Sequence, residues 1–127
     1  MKSSSPYNIQ VRVKSRYLAE QSDPAMSRYV FAYHVTIANQ GTMAAQLISR
    51  HWIITDANYE VQEVRGEGVI GEQPKIAPGQ TYEYTSGCVL TTDVGTMEGS
   101  YQMRGEDGEA FDAEIERFTL SLPRTLH

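Results

Sequence analysis

Residues 29–37 read Tyr29-Val-Phe-Ala-Tyr-His-Val-Thr-Ile37, and this stretch decides the fold. Large side chains alternate here with smaller ones, which is the period of two expected of a β-strand with one buried face. Aromatic and β-branched residues suit a pleated sheet, and no 3.6-residue period supports a helix. We therefore predict a strand whose inner face contributes to a core.

Comparable runs lie on both sides of this strand. They cover residues 9–14, 45–55, 60–65, 81–85, 97–104, 111–115 and 118–122, with a further short run at 89–90. Turn signals separate them at intervals of about 8–12 residues, which predicts an all-β antiparallel sandwich of seven to eight strands. One helical turn is expected near residues 17–21. No repeat or linker divides the chain, so residues 1–127 are expected to form a single domain.

The core of such a sandwich is the inward half of each alternation. The run at residues 45–55 is ambiguous, because a slip of one residue exchanges the face of Leu47 with that of Trp52. The predicted core is Val11, Val13, Phe31, Tyr33, Val35, Ile37, Leu47, either Trp52 or Ile53, Tyr84, Tyr101, Phe118 and Leu120.

Composition narrows the classes of function. The 127 residues include 11 Lys and Arg against 16 Asp and Glu, a net charge of −5, so neither nucleic acid nor an anionic membrane is an expected partner. Cys88 is the single cysteine and cannot form an internal disulfide, and no secretory signal or membrane-spanning run is present. These features favour a cytoplasmic protein.

A glycine motif is the strongest candidate for binding chemistry. Gly66, Gly68 and Gly71 have the Gly-x-Gly-x-x-Gly spacing of dinucleotide-binding folds. In those folds the loop starts a helix, whereas Pro74, Pro78 and Gly79 exclude a helix here. A weaker hypothesis remains, namely an anion-binding loop for phosphate, pyrophosphate or a dinucleoside polyphosphate, with Arg65 or Lys75 as the counter-charge. The alternative is a loop whose glycines serve the backbone alone.

No other cluster predicts catalysis. The three histidines, His34, His51 and His127, share no metal-ligand spacing, and Cys88 has no evident base beside it. The acidic residues between 106 and 116 favour at most a weak Mg²⁺ or Co²⁺ site and are more typical of the wet face of a hairpin. We therefore predict no enzyme and no firm cofactor. Arg50, Trp52 and Gln73 are candidate interaction residues, the first two only if they are exposed.

Six segments carry a family resemblance: YLAEQS at 17–22, RHWIITD at 50–56, GEGVIGEQP at 66–74, YTSG at 84–87, MEGSY at 97–101 and PRTLH at 123–127. With them the chain resembles the bacterial ApaG family over nearly its whole length. The resemblance implies an immunoglobulin-like, fibronectin-type-III-like β-sandwich. It links the chain to cobalt resistance and magnesium efflux, makes the triple-glycine segment a candidate phosphate loop, and implies no established reaction. Related domains in F-box proteins and in a polymerase-interacting protein favour protein binding.

Three positions depart from that family's usual pattern. Tyr59 stands where a glycine usually follows Asp56-Ala57-Asn58, Asp93 where a proline is common, and Cys88 where a small or β-branched residue is usual. A tyrosine at positive φ costs roughly 1–2 kcal/mol. We therefore predict that the turn shifts so that Asn58 takes the left-handed conformation.

Three hypotheses for function result. The leading one is a non-enzymatic module that recognises an unidentified protein, acting as a monomer or as a homodimer formed through sheet edges. The second is binding of a phosphorylated small molecule at residues 66–71, and the third is a divalent-cation role.

Overall fold

Eight β-strands form the structure, a computed structural model that describes residues 5–123. The residues 124–127, which include His127 and part of the family resemblance, lie outside this range, as do residues 1–4. The strands are β1 (Ile9–Tyr17), β2 (Tyr29–Asn39), β3 (Ala45–Asp56), β4 (Val61–Glu67), β5 (Lys75–Ile76), β6 (Thr81–Leu90), β7 (Val94–Gly105) and β8 (Ala110–Ser121). Two three-residue 3₁₀ turns, Ala19–Gln21 and Pro24–Met26, lie between β1 and β2.

The strands form two antiparallel sheets. One has the order β1-β2-β6, and the other has the order β4-β3-β7-β8 with β5 paired to β3. The predicted antiparallel sandwich is confirmed, as is the helical turn near residues 17–21. Two details differ from the prediction. The runs at 81–85 and 89–90 form one strand, and the runs at 111–115 and 118–122 are also continuous. The first interruption leaves the pairing of β6 with β2 unbroken, whereas the second coincides with a register shift in the pairing of β8 with β7.

The predicted core is confirmed over the central strands. Phe31, Tyr33, Val35, Ile37, Leu47, Trp52, Tyr84, Tyr101 and Leu120 are all buried. Val11, Val13 and Phe118 are only partly buried but pack against this cluster. They lie on β1 and β8, which are the outer strands of their sheets and therefore have a neighbour on one side only.

A bulge in β3 resolves the ambiguity of its two faces. Leu47 and Trp52 are five positions apart and would face opposite sides of a regular strand, yet both are buried, because the pairing with β7 shifts register between Leu47 and Ser49. The extra residue, Ile48, re-aims the second half of the strand. Its carbonyl accepts hydrogen bonds from the backbone of Gly68 and the side chain of Gln73, both at 2.8 Å. Before the bulge the odd-numbered residues such as Leu47 face inward, and after it the even-numbered residues such as Trp52 do.

Within residues 5–123 no helix is long and apolar enough to cross a membrane.

Candidate functional site

The glycine motif forms a small hairpin at one end of the sandwich. Val69 and Glu72 exchange backbone hydrogen bonds of 2.8 and 2.9 Å around Ile70 and Gly71, whose φ angles are 43° and 81°. Positive φ at both central positions is the geometry of a tight two-residue hairpin turn. Gly68 also has a positive φ, 60°, and a Cβ there would overlap the Glu72 carbonyl oxygen. Two of the three glycines thus serve the path of the backbone.

The amides of this loop are largely engaged. Those of Val69 and Glu72 bond each other's carbonyls, and that of Gly68 donates to Ile48. An anion-binding nest needs successive free amides directed to one point, which these three do not supply. The segment that follows is β5, so no helix dipole faces the loop. Within the described residues the amides of Ile70 and Gly71 donate to no backbone acceptor, so the phosphate hypothesis depends on these two and stays a prediction.

The predicted counter-charges lie away from the loop. Arg65 is 72% exposed on β4, and its Nη2 lies 3.8 Å from a Glu63 carboxylate oxygen. Lys75 is exposed on β5, opposite Gln46. Neither side chain is held towards Gly68 or Gly71 by a hydrogen bond.

Arg50 is the cation that the loop holds. The bulge turns Arg50 to the inner side of the sheet, where its Nη1 donates to the carbonyls of Glu67 and Gly68 at 2.9 and 2.7 Å. Gly66, directly opposite in the register, leaves room for the guanidinium, since a Cβ there would lie 2.7 Å from Nη2. Gly66, the first glycine of the motif, therefore accommodates an arginine between the sheets.

Hydroxyl groups gather beside Arg50. The hydroxyls of Tyr84 and Tyr101 are hydrogen bonded to each other, and both residues are buried with Tyr33 nearby. Burial raises the pKa of all three phenols above the ordinary 10.0, whereas the positive charge of Arg50 lowers it. The centre of this core is thus polar as well as aromatic.

Trp52 is a candidate interaction residue only if it is exposed, and it is buried. It is 2% exposed and packs edge-on against Tyr101 and Phe118. Among the described residues its Nε1–H has no hydrogen-bond acceptor. A buried donor left unpaired costs about 1–3 kcal/mol. Such a group requires an explanation.

Gln73 also differs from a free surface contact. Its side chain donates to the Ile48 carbonyl, and its own carbonyl accepts from Gln46 at 3.0 Å. The glutamine therefore secures the bulge and the loop to each other. Its role as an interaction residue stays a prediction.

The remaining titratable candidates make local contacts. His34 and His51 bond the surface carboxylates of Glu83 and Glu63 at 2.8 and 2.7 Å. Burial raises the pKa of the Cys88 thiol to about 11, so the thiol is neutral at physiological pH. In residues 5–123 no three His, Cys, Asp or Glu side chains are placed to share a metal ion.

A surface that the sequence reasoning missed lies at the opposite end of the sandwich. We define the turn patch as Tyr59, Val61, Val89 and Val94, which are 86%, 61%, 49% and 38% exposed. They line adjoining grooves around Asp56. The Ala57 amide donates to Thr92 Oγ1 at 3.1 Å, which ties the β3–β4 turn to the β6–β7 turn. Exposed apolar residues beside turn signals were the available clue.

The prediction for the β3–β4 turn is wrong: Tyr59, and not Asn58, has the positive φ, at 63°. Asp56 bonds the backbone of both Tyr59 and Glu60, which closes a three-residue loop. In such loops a type I turn is followed by one residue in the left-handed region. Loop length therefore assigns that conformation to the third residue, whatever its side chain.

Comparison with known proteins identifies the family of this chain. A family model described as the ApaG domain matches residues 19–105. The chain is 66% identical over 121 residues to a Protein ApaG from Thiobacillus denitrificans, covering 95% of each, and 60% identical to one from Aromatoleum aromaticum over the full length of both. It is similar to a crystal structure from Bordetella pertussis described as a putative ApaA protein, with a TM-score of 0.93 and 56% identity, covering 97% of this chain and 100% of that one. The chain belongs to the ApaG family.

Proposed function

We propose that this protein is a non-enzymatic recognition module that binds another protein through the turn patch. The observation that carries the proposal is the distribution of exposed large apolar side chains. Of the six in residues 5–123, five lie at the end formed by the β1–β2, β3–β4 and β6–β7 connections: Met26 and the four residues of the turn patch. Ile70 alone lies at the glycine-loop end. A contiguous exposed apolar surface is typical of a protein-binding site.

The conformation of Tyr59 supports this assignment. The ring is 86% exposed, so it contributes little to the core, yet the residue keeps a φ of 63°. Backbone strain of this kind is concentrated at functional sites. Tyrosine is also enriched among the residues that dominate binding energy at interfaces. Tyr59 is therefore the proposed anchor.

Charge narrows the chemistry of the partner. Asp56 and Glu60 line the grooves of the patch, the one cation that lines them among the described residues, Arg117, is paired with Glu98, and the whole chain has a net charge of −5. Val61 and Val89 lie on β4 and β6, which are outer strands with one backbone edge unpaired. We expect an extended protein segment that combines apolar side chains with Lys or Arg, since opposite charges favour docking and a strand can add to a sheet edge. Nucleic acid and anionic membranes fit this charge poorly.

A cytoplasmic location belongs to the same proposal. Cys88 is a free, buried thiol, and structural cysteines without a disulfide partner are usual in reducing compartments.

Quantitative affinity capture tests the proposal. Tagged wild-type protein and the variants Tyr59→Ala and Val89→Ser are incubated with lysate of the source organism, and the retained proteins are quantified. Ile70→Ala is the matched control, because Ile70 is also exposed and at positive φ but lies at the far end. We expect one protein to be retained by the wild type and by Ile70→Ala, and lost with both patch variants.

Two results would overturn the proposal. One is retention of the same protein by the patch variants at the level of the wild type. The other is turnover of a nucleoside polyphosphate by the purified protein that disappears in Gly68→Asp, since this would make the glycine loop part of an active site.

A further inference from the structure

A cleft of about 380 Å³ opens between β4 and β6, the outer strands of the two sheets on one side of the sandwich. On the other side the sheets are joined, because the Ser15 hydroxyl of β1 donates to the Thr119 carbonyl of β8 at 3.0 Å. The sandwich is therefore closed along one side and open along the other. The volume of the cleft is in the range of small-molecule sites, roughly 300–1,000 Å³.

Arg50 brings a positive charge into this cleft. Its Nη1 is occupied by the carbonyls of Glu67 and Gly68, but Nε and Nη2 donate to no acceptor within the described part of the chain. No carboxylate of residues 5–123 forms an ion pair with it. A partly buried charge without a counter-ion is unfavourable. The Nε and Nη2 donors point along one edge of a planar group, which matches the two oxygens of a carboxylate.

Trp52 lines the same cleft and carries a second unpaired donor, which is buried behind the cleft surface. Its indole N–H has no acceptor among residues 5–123, and only 2% of the residue is exposed. The hydroxyl-bearing side chains of Tyr33 and Ser86 line the cleft beside it. The free edge of the Arg50 guanidinium and these two hydroxyls thus border a space to which the described part of the chain contributes no carboxylate, which favours a ligand with hydrogen-bond acceptors.

The far part of the wall is mixed. Ile54, Val64 and Met97 line the cleft there together with the side chain of Gln62. An inorganic anion leaves this part of the wall uncovered. A multiply charged phosphate also brings more negative charge than the one guanidinium compensates.

We propose that the cleft between β4 and β6 binds a small organic monocarboxylate, whose carboxylate pairs with the Nε and Nη2 of Arg50 and whose apolar body covers Ile54, Val64 and Met97. The ring of Trp52 lines the same cleft and reports on its occupancy. Val89 borders both this cleft and the turn patch, but Tyr59 does not line the cleft and the glycine-loop amides do not enter it, so the site does not depend on the protein-recognition proposal.

Titration followed by ¹H–¹⁵N NMR tests the site in the full-length protein. Trp52 is the single tryptophan of the chain, so its indole resonance is a unique probe. The ligands are benzoate, its neutral counterpart benzamide, and inorganic phosphate. We expect benzoate to shift the Trp52 indole and Arg50 Nε resonances saturably. Benzamide binds at least about tenfold more weakly because it lacks the charge, and phosphate leaves both resonances in place.

Variants separate this site from the turn patch. Arg50→Lys keeps the charge but loses the planar pair of donors, and we expect it to weaken benzoate binding about tenfold or more. Tyr59→Ala leaves benzoate binding unchanged. Because the wild-type titration needs no variant to fold, it decides the matter alone. Absence of an indole shift with millimolar benzoate, an equal response to benzamide, or an equal response to phosphate would each overturn the proposal.

Discussion

Replacement of Tyr59 by glycine is expected to stabilise the protein while abolishing its binding to a partner. Tyr59 has a φ of 63°, which costs an L-residue about 1–2 kcal/mol relative to glycine. Glycine in turn adds about 0.5–1 kcal/mol of entropy to the unfolded chain. The difference leaves a gain of roughly 0.5–1 kcal/mol in the free energy of unfolding, or a rise of about 2–4 °C in melting temperature for a domain of this size.

Tyr59→Ala is the control that separates the backbone from the ring. Alanine keeps the strain at φ 63°, and the tyrosine ring is 86% exposed, so removing the ring has little effect on the core. We expect the free energy of unfolding of Tyr59→Ala to lie within about 0.5 kcal/mol of the wild-type value. The assay is urea unfolding followed by circular dichroism, together with thermal melts of all three proteins.

The two variants must also behave alike in affinity capture, since both lack the ring. If Tyr59→Gly is no more stable than Tyr59→Ala, the strain argument is refuted. If Tyr59→Gly is more stable and still retains the partner, the strain is real but Tyr59 is not the anchor.

Three further predictions concern the fold. Gly68→Ala is expected to destabilise the protein by more than about 2 kcal/mol, because the residue has a positive φ and a Cβ there would also collide with the backbone of Glu72. Gly71 has a positive φ but open space around it, so Gly71→Ala should cost about 1–2 kcal/mol. Equal losses of the two variants in urea unfolding would contradict this. Burial raises the pKa of Tyr84 and Tyr101 above 10.0, so the folded state holds these protons longer than the unfolded chain, and stability falls as the pH rises above 10.0. Of the eight tyrosines, exposed ones such as Tyr59 can ionise before unfolding, but the last part of the tyrosinate absorbance should appear together with unfolding; complete tyrosinate formation in a folded protein would contradict this. Burial raises the pKa of Cys88 from 9.0 to about 11, so near neutral pH its thiolate fraction is roughly a hundredfold below that of a free thiol. Iodoacetamide should therefore react slowly with Cys88 until denaturant is added. Alkylation of the native protein at the rate of the denatured protein would contradict this.

The sandwich was predictable because its signal is local and repeated. Each strand with one buried face shows an alternation of large apolar and smaller or polar side chains, and the aromatic run of β2 shows it most clearly. The bulge at Ile48 was not predictable in the same way, because it depends on pairing between β3 and β7 and on bonds from Gly68 and Gln73. Without it, neither the inward position of Arg50 nor the joint burial of Leu47 and Trp52 can be derived.

The candidate site was less predictable than the fold. The glycine motif correctly marked an unusual backbone, but spacing alone does not say whether the amides are free, and here those of Gly68, Val69 and Glu72 are engaged. The conformation of Tyr59 followed from loop length, which sequence patterns locate only to within a few residues. The cleft beside Arg50 depends on how two sheets diverge, which no local pattern encodes.

The bulge in β3 makes the length of this strand matter more than its composition. Exchanging one aliphatic side chain for another near Ile48 disturbs packing by a modest amount, whereas removing a single residue would reverse the facing of every position up to the turn. Arg50 would then leave the space between the sheets, and Ser49 and His51 would enter it. Among divergent descendants of this chain, we expect exchanges between aliphatic residues in the first half of β3 to be more frequent than insertions or deletions there.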